Sequence, residues 1–173
     1  MKDIALGSYE AACLMGLHFT RPKRLFDAGE LDGRPLDPVW VTESSRQFVV
    51  YSAASAERNL KDFEAGRFGP VKNPRAYLHL RDKVLRRLAA EKQTVMYEDA
   101  IGTAEAAKIL GVHPTMVQRL VITKKIVARQ PWNPRNPGAG RIYIISRKSC
   151  EANRREIAAL EAAGKKRGRK RKV

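Results

Sequence analysis

Cysteine and histidine are nearly missing from this chain, which has two Cys and three His in 173 residues. Cys13 and Cys150 stand in separate halves with no metal-ligand spacing around them. That excludes a disulfide framework and a zinc pattern, and leaves buried, inert thiols as the expectation. Also missing is any stretch approaching the ~20 apolar residues of a membrane span. The first residues, MKDIALGSYEAA, include an acid and no apolar signal core. No membrane partner is expected, and a cytoplasmic, nucleoid-associated location is. Nor is there a phosphate-cradling glycine loop, a ligand cluster or a nucleophile and base at recognisable spacing. No catalytic residue, cofactor or metal is therefore expected, and the chain reads as a non-enzyme.

Acidic residues are the remaining deficit: 18 Asp and Glu face 34 Lys and Arg, for a net charge of +16. An excess of that size implies a polyanionic partner or an anionic surface. It is unevenly spread. Residues 1–68 carry net −1, residues 69–102 net +3, residues 103–164 net +7, and the last nine, KKRGRKRKV, a further +7. With 43% hydrophobic residues the chain can still bury one ordinary core or two small ones.

What is present is a repeat. A shift of 95 positions lays ALGSYEAACLMGLHFTRPKRL (5–25) on AIGTAEAAKILGVHPTMVQRL (100–120) with ten identities in twenty-one positions and no gap. The same shift sets RQFVVYS (46–52) against RIYIISR (141–147), so a whole unit is duplicated.

In the second copy, Thr103 precedes AEAAKIL, where Ala106, Ala107 and Leu110 share a helical face. The Thr103 hydroxyl is expected to cap that helix, with Glu105 favouring its positive start. Gly111 supplies a left-handed turn, Val112 plugs the corner, and Pro114 opens a second helix. Val117, Leu120 and Val121 face inward there, leaving Thr115, Met116, Gln118 and Arg119 outward. Next come VARQPW and GRIYIIS, two short strands around NPRNPGAG, a hairpin with a broad loop. A third helix, SCEANRREIAALEAA, is expected to end at Gly164.

The order TAEAAKILGVHPTMVQRL, basic hairpin, RIYIIS, helix resembles the excisionase and MerR-type winged helix-turn-helix. The resemblance implies sequence-directed binding to double-stranded DNA, with the second helix in the major groove and the wing along the backbone or minor groove. It differs from the usual pattern at His18 and His113, where the family carries Ser or Thr; a capping role is expected there ahead of a base contact. The fold expected is α+β, mainly helical. It comprises a near-neutral first winged unit (1–66), a helical linker (67–98), a basic second unit (99–164) and a basic tail (165–173).

On this reading Thr115, Met116, Gln118 and Arg119 contact bases, with Arg21, Lys23 and Arg24 in the first copy. His113, Lys124, Lys125, Arg129, Arg135 and Arg141 touch phosphate or a groove edge. The first copy departs further, because Pro22 removes a helical hydrogen bond unless its helix starts later, at Thr20 or Arg21. Its hairpin also carries Glu30, Asp32, Asp37 and Glu43, which phosphates would repel. Two readings stand open: it reads bases through a few residues, or it grips a protein partner in a packaging or partition assembly.

The segment EAGRFGPVKNPRAY (64–77) marks a boundary, and from Pro74 to Lys92 a stripe of Tyr77, Leu80, Val84 and Leu88 runs along a helix, with Leu78 and Leu85 beside it. That stripe either packs against its own modules or forms a homodimer through residues 75–92. The tail cations Lys165, Lys166, Arg167, Arg169, Lys170, Arg171 and Lys172 are expected to be disordered alone and to track phosphates without sequence preference.

Overall fold

The computed structural model describes residues 2–36, 48–67, 74–91, 93–133 and 142–169. Among these the chain is α+β and mainly helical, with seven helices and two three-stranded sheets. The first unit runs β1 (Ala5–Leu6), α1 (Ser8–Met15), α2 (Arg21–Asp27), β2 (Gly33–Leu36), β3 (Phe48–Ser52) and α3 (Ala53–Glu64). Helix α4 (Pro74–Ala90) follows. The second unit repeats the order as β4 (Ala100–Ile101), α5 (Thr103–Leu110), α6 (Pro114–Ile122), β5 (Ala128–Arg129), β6 (Ile144–Ser146) and α7 (Arg147–Arg169). Both sheets are antiparallel with the last strand in the middle, β1-β3-β2 and β4-β6-β5.

The corners between the paired helices are alike. Gly16 and Gly111 close α1 and α5 at φ 68° and 69°, a left-handed conformation open to glycine. Beyond the corner, α2 starts at Arg21 with Thr20 as its cap residue, so that Pro22 falls in the first turn, where no amide is missed. Helix α6 starts two equivalent positions earlier, at Pro114, because His113 stands as its cap and accepts from the Thr115 amide through Nδ1 at 3.4 Å. Thr103, expected to cap α5, lies instead inside its first turn and is buried; Gly102 holds the cap position and gives no side-chain bond.

The strand register corrects the expected alignment. In the sheets Ser52 lies opposite Ala5 and Ser146 opposite Ala100, so β3 matches β6 at a shift of 94, not 95. Hydrogen bonds fix this independently. Ser52 Oγ accepts from the Ser55 amide (3.0 Å) and Ser146 Oγ from the Ser149 amide (3.1 Å), capping α3 and α7. Ser55 Oγ then accepts from the Asp32 amide, and Ser149 Oγ from the Val127 amide, pinning each hairpin's first strand. Asn59 and Asn153 bond back to the Ser55 and Ser149 carbonyls. The motif S-x-x-S-x-E-x-N thus stands at 52–59 and at 146–153. One residue fewer in the second hairpin accounts for the change of shift, and a one-residue slip would turn every strand side chain to the opposite face.

Each unit has its own core, around Leu6, Leu14, Met15 and Tyr51 in the first and Ile101, Leu110, Val117 and Ile145 in the second. Helix α4 belongs to the first: Val84 and Leu88 are buried against it, with Leu80 and Leu85 partly so, and α4 packs on α1. The linker is thus a layer of the first unit. Of the stripe expected to face a partner through residues 75–92, Leu80, Val84, Leu85 and Leu88 pack on this core, as the alternative of packing against its own module required, and the side chains of Tyr77 and Leu78 lie outside the described residues. Cys13 and Cys150 are free and buried, and burial pushes each thiol up to about 11.

Two expectations about the C-terminal end are also corrected. Helix α7 does not stop at Gly164, and the backbone of residues 165–169 is helical. Propagating an existing helix adds one hydrogen bond per residue, Lys and Arg are good helix formers, and cations suit a helix C-terminus, which together offset a cost of ~1 kcal/mol at each of Gly164 and Gly168. Residues 170–173 lie outside the described residues.

Candidate nucleic-acid interface

The residues expected to meet DNA divide into three groups. On α2, Arg21, Lys23 and Arg24 are exposed, while Pro22 and Leu25 anchor the helix inward. Lys23 is paired with Asp27 at 2.5 Å and lies over the Phe26 ring. On α6, Thr115 and Arg119 are exposed; Met116 and Gln118 are half-buried, and Met116 packs against the second core. His113 and Thr115 are joined at 2.9 Å through Nδ1 and Oγ1, as His18 and Thr20 are at 3.0 Å. His113 thereby caps α6 through the Thr115 amide, whereas the His18 ring bonds to the hydroxyl of Thr20, the cap residue of α2, which has no side-chain cap bond.

Past α6, Lys124 is exposed and sits at φ 57°, a left-handed position rarely taken by a residue with a side chain. That closing turn aims Lys124 and Lys125 outward beside the end of α6, although Lys125 is engaged with Glu156 at 3.0 Å. Exposed pairs such as this and Lys23–Asp27 are worth ~1 kcal/mol or less and exchange readily for other partners.

Arg129 does not belong to this surface. Only 4% of it is exposed, and it lies at the centre of a buried network rather than on a wing. Its guanidinium reaches Glu10 (2.6 and 2.9 Å), Glu91 (2.8 and 3.1 Å) and the Ala5 carbonyl (2.7 Å). Burial opposes the charge, but hydrogen bonds and attraction from Glu91 and Glu10 more than reverse that and hold its pKa above the ordinary arginine value. Glu10 also accepts from the amides of Gly7 and Trp132, and Tyr9 meets the Trp132 ring edge-on at 5.5 Å. An arginine so enclosed is unavailable to phosphate.

Arg135, Arg141, Lys170, Arg171 and Lys172 lie outside the described residues, as do residues 37–47 of the first expected hairpin (30–48) and 134–140 of the NPRNPGAG loop (133–140). Lys165, Lys166, Arg167 and Arg169 are carried on α7. No group of three or more His, Cys, Asp or Glu able to hold a metal occurs among the described residues. No described helix is long and apolar enough to cross a membrane.

The contact between the units was not anticipated, and it uses equivalent residues. Arg34 on β2 is the counterpart of Arg129 at the 95-residue shift; its Nη2 donates to the Ala100 carbonyl and, at 3.0 Å, to that of Tyr97. Ala5, Leu36, Val50, Val95, Ala100 and Ile144 close into a third apolar cluster shared by the two sheets. The segment before β4 also runs antiparallel to the segment before β1: Ile4 bridges Met96, the Ala5 amide donates to Val95 and the Tyr97 amide to Asp3. A signal for this existed in the repeat, because Arg34 and Arg129, like Ala5 and Ala100, are identities at one shift. No protein-family model, curated protein or solved structure matches the chain.

Proposed function

We propose that the chain is a sequence-directed double-stranded DNA-binding protein of the excisionase or transcriptional-regulator sort, built from two winged helix-turn-helix units. One observation carries this reading. Past its left-handed glycine corner, each of α2 and α6 is held by buried apolar residues while Arg21, Lys23 and Arg24, or Thr115 and Arg119, remain exposed. A helix ~10–12 Å across fits a major groove ~12 Å wide. Arginine there pairs bidentately with guanine, and threonine meets a base edge or a thymine methyl. Lys124, Lys125 and the cations of α7 supply phosphate contacts that raise affinity without reading sequence.

The test is duplex binding by the full chain, with selection of preferred fragments from a random pool, beside a truncation after Gly164. Removing residues 165–173 is expected to weaken binding to every duplex and flatten its salt dependence while the selected motif persists. Loss of preference with the tail, or no duplex retained at low salt, overturns the reading.

The adaptor reading, in which the first unit binds a protein, is favoured by the net −1 of residues 1–68. Because the units share a core, separated halves do not test it; the triple variant R21A/K23A/R24A does. A changed DNA motif supports base reading by the first unit, and an unchanged motif supports the adaptor.

A further inference from the structure

We infer that the two copies form an internal dimer about an approximate two-fold axis, and that the chain's target is one duplex bearing two unlike half-sites in inverted order. This rests on the DNA-binding reading above and adds the arrangement of the site.

Two features of the contact between units are reciprocal. Arg129 donates to the Ala5 carbonyl and Arg34 to the Ala100 carbonyl; exchanging the copies converts each contact into the other. In the shared cluster, Ala5 and Ala100 are counterparts, as are Val50 and Ile144, and all four are fully buried. Reciprocity of this kind defines an isologous interface, in which one patch meets its own copy. A head-to-tail joint would set two different patches together and give none of it.

The symmetry constrains recognition. Helices related by a two-fold rotation meet a duplex with opposite polarity, so both dock on one duplex only where the half-sites are inverted. A direct repeat would need a translation along the duplex, which this interface does not supply. The half-sites are unlike because the exposed residues are. Arg24 and Arg119 are counterparts and identical, whereas Lys23 faces Gln118 and Arg21 faces Met116. Each half-site is therefore expected to share the base pair read by that arginine and to differ beside it.

The departures from symmetry lie away from the apolar contact. Glu10 is taken by Arg129 across the interface, but its counterpart Glu105 is taken by Arg147 within its own unit. At the 94-residue shift Arg147 replaces Ala53, so the first unit has no such internal partner for Glu10.

The test uses the intact chain and synthetic duplexes carrying the two selected half-sites inverted, in either polarity, or directly repeated, with spacing scanned over about one to two helical turns. The best inverted duplex is expected to bind about 100-fold or more tighter than any direct repeat, because the second contact becomes intramolecular. One chain per duplex is expected by sedimentation. Arg24→Ala should relax one half-site and Arg119→Ala the other. A direct repeat bound as tightly as the inverted one, two chains per duplex, or both variants relaxing the same half-site would sink the inference and leave DNA binding standing. Failure to retain any preferred duplex would remove both.

Discussion

Arg34 and Arg129 occupy the same place in two copies of one fold, yet live in different electrostatic worlds. Arg129 is enclosed and faces two carboxylates, Glu10 and Glu91. Arg34 is half-buried, bonds neutral carbonyls and leaves its buried Nε without a partner among the described residues. The backbone role is shared, but among the described residues carboxylates meet Arg129 and not Arg34. Duplicated architecture thus constrains where a side chain goes without dictating what it meets there.

The largest expected effect breaks this comparison directly. Arg129→Met would leave Glu10 buried without its cation and should cost about 3–5 kcal/mol in urea unfolding. Arg34→Met, which strands only carbonyls, should cost about 1–2 kcal/mol. Equal losses would mean that the carboxylates around Arg129 are compensated from elsewhere.

The glycine corners sharpen the likeness instead. Gly111→Ala meets open space, so its cost is the left-handed backbone alone, about 1–2 kcal/mol. Gly16→Ala, at nearly the same φ, should lose at least as much. A neutral result at either site would show that the two corners are not equivalent.

Next come the helix caps. Ser52→Ala and Ser146→Ala should each cost about 1 kcal/mol, since each hydroxyl accepts an amide at its helix start and donates to an aspartate, Asp3 or Asp99. Matched losses would support the 94-residue shift; an effect at only one serine would argue against it.

The thiols should have no effect on stability at neutral pH. Cys13 and Cys150 stay protonated to about pH 11 in the fold, whereas an unfolded thiol ionises near 8.5. Above that lower value the unfolded state holds fewer protons, so stability should decline as pH rises toward 11. Thiol-reagent labelling at pH 8 should be slow for both, and rapid labelling of either would contradict its burial.

Local patterns were the legible part of this chain. The glycine corners, the late start of α2 forced by Pro22, and the inward Val117 and Leu120 all follow from spacing within a turn or two. The strand register differs from the 95-residue alignment because the identity of Arg46 and Arg141 and three apolar matches carry the helix shift into the strand, while hydroxyl bonds at Ser52 and Ser146 fix the register at 94. Arg129 read as a wing cation because its neutralising partners stand 38 and 119 residues away in sequence. Gly164 read as a terminator, since a glycine after a helical pattern looks the same whether the helix ends or continues. The α4 stripe showed an apolar face but not that α1 covers it.

Helix α7 extends over 23 residues, ~34 Å at 1.5 Å per residue. Charge mounted on such a rod has a bearing as well as a radius. A string would let its cations sample every direction within their tether, whereas a continuous helix ties the backbone that carries Lys165 to Arg169 to the place where Ile157 is anchored in the second core. Each residue added or removed beyond that anchor would turn the charged end by about 100°, so its orientation would follow chain length as a compass needle rather than as a leash.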